Sequence, residues 1–152
     1  MSNPIKTIAN NVKNLRKTLS EVVLDIVQTK EMIVLDMNRE QLYSGKDSLD
    51  NPITPPYTIS TKMAKIRKGQ PTNRVTLKDT GEYYREMAII YGDDRFGIYS
   101  DAEHTKYLTG KYGNEIHGLN EDNIDELSLI VSEAFESIGI DLLLKGVNKT
   151  MV

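Results

Sequence analysis

The sequence contains no cysteine. That excludes a disulfide framework, a thiolate zinc site and a cysteine nucleophile. Histidine occurs only twice, too seldom for a His-rich metal site. No apolar run approaches the roughly 20 residues that a membrane-crossing helix needs, and no membrane partner is expected. The opening stretch MSNPIKT has no apolar h-region. It does not read as a signal peptide, and a soluble chain made in the cytosol is expected. An excess of basic residues is also missing. Lys and Arg number 19 against 22 Asp and Glu, for a net charge of −3 and a pI near 5.4. That is the wrong sign for a protein binding nucleic acid with its whole surface. Ten glycines and five prolines with no low-complexity tract argue against gross disorder and collagen-like structure. With 39% apolar residues in 152, the chain can build one modest core and is read as a single domain, 1–152.

Ile5, Ile8, Val12, Leu15, Leu19, Val22 and Ile26 recur at alternating spacings of three and four, the stripe of an amphipathic helix. Pro4 suits a first helical turn. Ile33, Met37 and Leu42 continue the spacing, no Gly or Pro interrupts 5–44, and Gly45 is a stop signal. One helix over 4–43 is expected, about 60 Å long at 1.5 Å per residue. Thr18 and Ser20 resemble an internal N-cap at which it can break. Two readings of the stripe stand: it covers the chain's own sheet, or part of it packs against a neighbouring subunit.

Residues 45–73 read as an extended loop. Pro52, Pro55, Pro56 and Pro71 forbid regular ladders there, with Gly45 and Gly69 adding turns. A short helical turn over Ser60–Ile66 is the one expected interruption. Loops this long are usually functional or disordered. Between 60 and 78 lie Lys62, Lys65, Arg67, Lys68, Arg74 and Lys78 without a single acid. Between 112 and 144 the balance inverts. There is no Lys or Arg, and the acids are Glu115, Glu121, Asp122, Asp125, Glu126, Glu133, Glu136 and Asp141. The ordinary reading of such runs is a solvated charged surface. Polarisation of this kind also suits head-to-tail contacts between identical subunits, or steering towards a charged partner. The candidate interface residues are Lys62, Lys65, Arg67, Lys68 and Arg74 on one side, and Glu121, Asp122, Asp125 and Glu126 on the other.

The region 74–100 is strand-like. Arg74 to Lys78 alternates polar and apolar residues. Asp79-Thr80-Gly81 is a structural turn in which Gly81 supplies a positive φ. Tyr84–Tyr91 and Phe96–Tyr99 flank Gly92-Asp93-Asp94-Arg95, the pattern of a β-hairpin. Residues 102–109 suit a short helix. Asn120 is the expected N-cap of a last helix, 120–139, with Ile124, Leu127, Ile130, Val131, Ala134, Phe135 and Ile138 at helical spacing. Gly139 is read as its end, and 140–152 as a tail with a Leu142-Leu143-Leu144 cluster. The expected fold is α+β: a long N-terminal helix, a long loop, a small antiparallel sheet with a hairpin, and a C-terminal helix packed on the sheet.

Chemistry is hard to find. Asp79-Thr80-Gly81 matches the aspartic-protease triplet, but that reaction needs two carboxylates sharing one proton, and Lys78 and Glu82 flank this one. His104 and His117, with Asp101, Glu103 and Glu115, are metal-ligating types without ligand spacing. Thr109-Gly110-Lys111 lacks the upstream glycine of a phosphate loop. No catalytic, cofactor-binding or metal-binding residue is assigned, and no cofactor is expected.

The order of features resembles the virion-morphogenesis or tail-completion proteins of tailed bacteriophages, the protein-G-like family with its related neck and tail proteins. The shared pattern is a leading helix, a loop reading Pro56-Tyr57-Thr58-Ile59-Ser60-Thr61-Lys62, and a turn reading Leu77-Lys78-Asp79-Thr80-Gly81. A hairpin follows, then His104-Thr105-Lys106-Tyr107-Leu108 with Gly110 and Gly113, and a closing helix after Ile116-His117-Gly118-Leu119-Asn120. The resemblance spans roughly 30–139. The loop tryptophan common in the family is absent, and Glu115-Ile116-His117 stands where Pro-x-Arg is usual. The resemblance implies a structural role without catalysis: a ring-forming homo-oligomer at the neck or tail end of the virion, assembled in the host bacterial cytoplasm. Implied partners are copies of itself and portal, neck, tail-tube or sheath proteins, with passive contact to phage DNA in the lumen. The alternative reading is a nucleic-acid-associated accessory or regulatory protein using the basic stretch 60–78. A small enzyme of unrecognised type is a third.

Overall fold

A computed structural model describes residues 4–149 and most side chains between 5 and 138. The fold is α+β: six α-helices, a 3₁₀ turn and one two-stranded antiparallel sheet among the described residues. Helix α1 spans Pro4–Thr29 and α2 spans Glu31–Tyr43. The single helix expected over 4–43 is therefore corrected. The chain breaks at Lys30, and the helix runs on through 18–20. At the break, the Thr29 hydroxyl donates to the Ile26 carbonyl at 2.8 Å, a local bond that competes with helical pairing. The break places Val27 on α1 and Val34 and Leu35 on α2 in one core cluster, and Ile26 is buried as well. The side chains of Leu15 and Thr18 lie outside the described residues.

The loop 45–73 is not structureless. Lys46 bridges Pro52, and helix α3 occupies Ile59–Arg67, longer than the expected turn. Thr58 caps it, accepting from the Thr61 N–H at 3.3 Å.

No strand forms at 74–78, which corrects a second expectation. Val75, Thr76 and Leu77 are all buried, so the alternation does not sort one face in and one face out. The backbone of Thr76 is satisfied by tyrosines instead of a neighbouring strand. Its N–H donates to the Tyr57 hydroxyl at 2.8 Å, and its carbonyl accepts from the Tyr84 hydroxyl. Leu77 then turns the chain at φ 52°.

Tyr84 and Arg85 are likewise helical rather than extended, in the one-turn helix α4 (Glu82–Arg85). Strands β1 (Met87–Tyr91) and β2 (Phe96–Ser100) pair antiparallel from Met87↔Ser100 to Tyr91↔Phe96, closed by the 92–95 loop. A lone hairpin is marginal in water. This one buries Met87, Ile89 and Ile98 in the core beside Leu42, Val34 and Tyr83.

Helix α5 (Thr105–Tyr112) and the 3₁₀ turn Asn114–Ile116 lead to α6, Glu121–Lys149. Asn120 caps α6 as expected, its Oδ1 accepting from the Asn123 N–H at 3.2 Å. Gly139 does not end α6. An isolated glycine costs a helix only about 1 kcal/mol relative to alanine, and no proline follows. The expected tail therefore shrinks to residues outside those described, and the side chains of Leu142–Leu144 lie outside them too. α6 packs chiefly on α1 and α2 rather than squarely on the sheet.

Gly81 sits at φ 84°, where a Cβ is strained and would lie 3.3 Å from the Arg85 guanidinium. Gly81→Val is expected to lower stability by about 1 kcal/mol or more. Urea unfolding followed by circular dichroism measures this, and an unchanged midpoint refutes it.

Candidate functional site

The basic stretch does not present one charged surface. Lys65 is only 4% exposed. Its ammonium donates to Gln70 Oε1 at 3.0 Å and to the Lys78 carbonyl at 2.6 Å, and it lies 4.6 Å from the Tyr57 ring centre. Lys68 pairs with the carboxylate of Asp79. Arg74 donates from Nε to the Tyr43 carbonyl at 2.8 Å and stacks over the Tyr43 ring, as does Lys78. Lys65 is thus removed from the candidate interface, because burial makes it a structural cation. Lys68 and Arg74 are held by the same molecule. Lys62 and Arg67 remain exposed on α3, and neither forms an ion pair among the described residues.

The turn residues behave as structure. Asp79 holds Lys68, the Thr80 hydroxyl accepts from the Glu82 N–H at 3.3 Å, and the Thr80 carbonyl accepts from Arg85 at 3.1 Å. Together they pin the end of α3 to the start of α4.

The acidic residues are arranged differently. Glu121, Asp122, Asp125 and Glu126 are all exposed along α6, joined by Glu133 and Glu136. On a helix, Asp122, Asp125, Glu126, Leu129 and Glu133 share one face. Leu129, 66% exposed, is therefore an apolar spot set among carboxylates.

One feature escaped the sequence reading. Ile59, Met63 and Ile66 are 83%, 51% and 60% exposed, while the residue α3 turns inward is Lys65. The helix is amphipathic in reverse. A helical turn over Ser60–Ile66 is expected from the sequence, but the i, i+4, i+7 spacing of Ile59, Met63 and Ile66 does not tell that this face meets solvent.

Two clefts accompany these surfaces. One, of about 780 Å³, runs between α1, β2 and α6, lined by Leu19, Val23, Phe96, Leu127, Val131 and Phe135. It adjoins an exposed part of the α1 stripe, where Ile8, Val12 and Leu19 face outward. The other, of about 670 Å³, lies between α3, the 77–80 turn and α5.

The two histidines do not converge on a metal-type cluster. Among the described residues no three His, Asp or Glu side chains are grouped so that they could hold a metal ion. His117 sits between Tyr83 and Thr109, with its Nδ1 3.4 Å from the Tyr83 hydroxyl and its Nε2 3.2 Å from the Thr109 hydroxyl. Burial lowers its pKa below the usual 6.5. His104 lies 3.9 Å from Glu82. No helix among the described residues is long and apolar enough to cross a membrane.

Comparison with known proteins returned no match to a family model, a curated protein or a solved structure.

Two predictions follow from this geometry. Lys65→Ala leaves the Gln70 and Lys78 acceptors unpaired and is expected to cost about 2 kcal/mol, whereas Lys62→Ala stays within about 0.5 kcal/mol. Equal unfolding midpoints for the two variants would contradict the burial of Lys65. For His117, the unfolded chain takes up the proton at higher pH than the folded one, so stability falls as pH drops through about 6.5 and levels off below the folded value. Urea unfolding at pH 7.5 and 5.5 should show this loss, and His117→Gln should reduce it.

Proposed function

We propose that the chain is a structural subunit of a tailed-phage virion that assembles with copies of itself at the neck or tail end. The observation that carries this reading is the pair of exposed, oppositely charged helix faces, each with an apolar centre: the reversed helix α3 and the outer side of α6. The contiguous Ile59, Met63 and Ile66 surface of α3 has the form of an interaction site, and the carboxylates around Leu129 on α6 complement its charge. A chain that carries two different and complementary faces associates head to tail, and such contacts close into rings when the rotation allows. The order of motifs from the Tyr57 loop to the Asn120 cap supports the virion assignment through the family it resembles. Partners of the assembled ring are portal, neck or tail-tube proteins.

The nucleic-acid reading has less support. Lys65, Lys68, Arg74 and Lys78 each lie against a carbonyl, a carboxylate or an aromatic ring of the same chain. Lys62 and Arg67 alone would release about two counterions, too few for strong binding but compatible with a lumen through which DNA slides.

Antibodies against the purified chain, applied to virions of the phage that encodes it, are expected to label the neck or tail end in electron micrographs. Virions that carry no label, with the antigen confined to the lysate, would refute the virion assignment.

A further inference from the structure

Helix α3 places Ile59, Lys62, Met63, Ile66 and Arg67 at i, i+3, i+4, i+7 and i+8, which is one face. That face points to solvent, and the opposite side holds the buried ammonium of Lys65. The orientation is enforced. Lys65 is tied to Gln70 and Lys78, Lys68 to Asp79, and the N-terminus is capped by Thr58. The helix cannot roll its apolar side inward without breaking these bonds.

Helix α6 carries a matching arrangement of opposite sign. Asp122, Asp125, Glu126, Leu129 and Glu133 fall at i, i+3, i+4, i+7 and i+11, all exposed. None of these acids, nor Lys62 or Arg67, joins an ion pair within the chain among the described residues. The two faces are held by different parts of the molecule. α3 rests on the 76–80 segment, and α6 rests on α1 and α2.

We infer that the α3 face of one copy docks on the α6 face of the next, with Ile59, Met63 and Ile66 covering Leu129 and the cations Lys62 and Arg67 meeting Asp122, Asp125 and Glu126. Charge selects the occupant and the direction. Two α3 faces would bring cations together, and two α6 faces would bring carboxylates together, so a two-fold contact through either face is repelled. The α3-to-α6 pairing is the attractive one: it closes as a reciprocal two-fold pair where both contacts form at once, and otherwise propagates from copy to copy. Nine residues of helix span only about 13 Å, so each contact is small. Closing a ring adds the final contact intramolecularly, at high effective concentration. This inference rests on the self-assembly part of the proposed function and specifies the surfaces that carry it.

The test uses the full chain in sedimentation velocity over a concentration series up to about 1 mM, where association with a Kd as weak as about 1 mM remains visible. Three proteins are compared: wild type, Lys62→Glu/Arg67→Glu and Asp122→Lys/Asp125→Lys. All are expected to fold alike by circular dichroism, because exposed charges contribute little to stability. Wild type is expected to associate. Each double variant should weaken association about tenfold or more, and an equimolar mixture of the two should restore it. If wild type assembles and both variants assemble equally well, these faces are wrong while self-assembly stands. If only the α3 variant loses assembly and mixing does not rescue it, α6 is not the occupant, and a partner other than this face binds α3. A wild type that stays monomeric throughout overturns both the pairing and self-assembly, whereas antibody labelling of virions tests the virion assignment separately.

Discussion

The fold turns on one carbonyl. The backbone oxygen of Gly118 accepts from the Asn38 amide at 2.7 Å and from the Gln41 amide at 3.0 Å. The other end of Gln41 accepts from the Asn120 N–H at 2.8 Å and from the Asn123 amide at 3.0 Å. Asn120 in turn reaches Asp50 at 3.2 Å while capping α6. Asn38 and Gln41 are buried in the middle of the inward face of α2, where an apolar residue would normally stand. Buried polar groups are tolerated when they are bonded; the Asn38 Oδ1 alone of this group lacks a partner, and the bonds that are made fix where the last helix begins. They join α2, the 47–53 turn and the start of α6, which sets the side of the molecule on which the acidic face emerges. Asp50 belongs to the same group, and the hydrogen bonds from Lys46 and Asn120 lower its pKa.

A second polar device positions α3. The Tyr57 and Tyr84 hydroxyls occupy the backbone groups of Thr76, so the 74–78 segment passes through the core without a strand partner. Burial raises the pKa of Tyr84 well above its usual value, so that its hydroxyl keeps the proton it donates. This segment supplies the Lys78 carbonyl to Lys65 and the Asp79 carboxylate to Lys68. The outward tilt of Ile59, Met63 and Ile66 is therefore a consequence of core bonding. It is not an accident of a loose loop.

Much of this was legible in the residues, and the misses have physical causes. The hairpin, its Gly92–Arg95 tip, the Asn120 cap and the Gly81 turn were readable because each depends on local backbone chemistry. The break at Lys30 was not, because it is marked only by a threonine bonding to its own helix. The strand expected at 74–78 failed because alternation cannot reveal that two distant tyrosines satisfy the ladder groups. The basic stretch was read as one surface because charge along a sequence carries no information about which lysine is buried. Lys65 went inward with the acceptors it needed, and apolar neighbours were left outside. Periodicity finds a helix face without telling whether that face meets the core or the solvent.

The energetics of the exposed faces limit what the proposed assembly can be. Fully burying one large aliphatic side chain is worth about 1.5–3 kcal/mol. Ile59, Met63 and Ile66 together therefore offer roughly 5–9 kcal/mol at best, before about 4–15 kcal/mol is lost to translational and rotational freedom on association. Charge attraction between Lys62, Arg67 and the α6 carboxylates adds mainly direction and rate. A single α3-to-α6 contact is thus marginal, and an open chain of copies would dissociate readily. A closed ring is different, since its last contact adds binding without a further loss of freedom. The outward part of the α1 stripe and the cleft beside it, between α1, β2 and α6, supply more apolar area that an assembled state can cover. Weak individual contacts of this kind fit the proposed self-assembly, in which a closed ring is more stable than an open chain of copies.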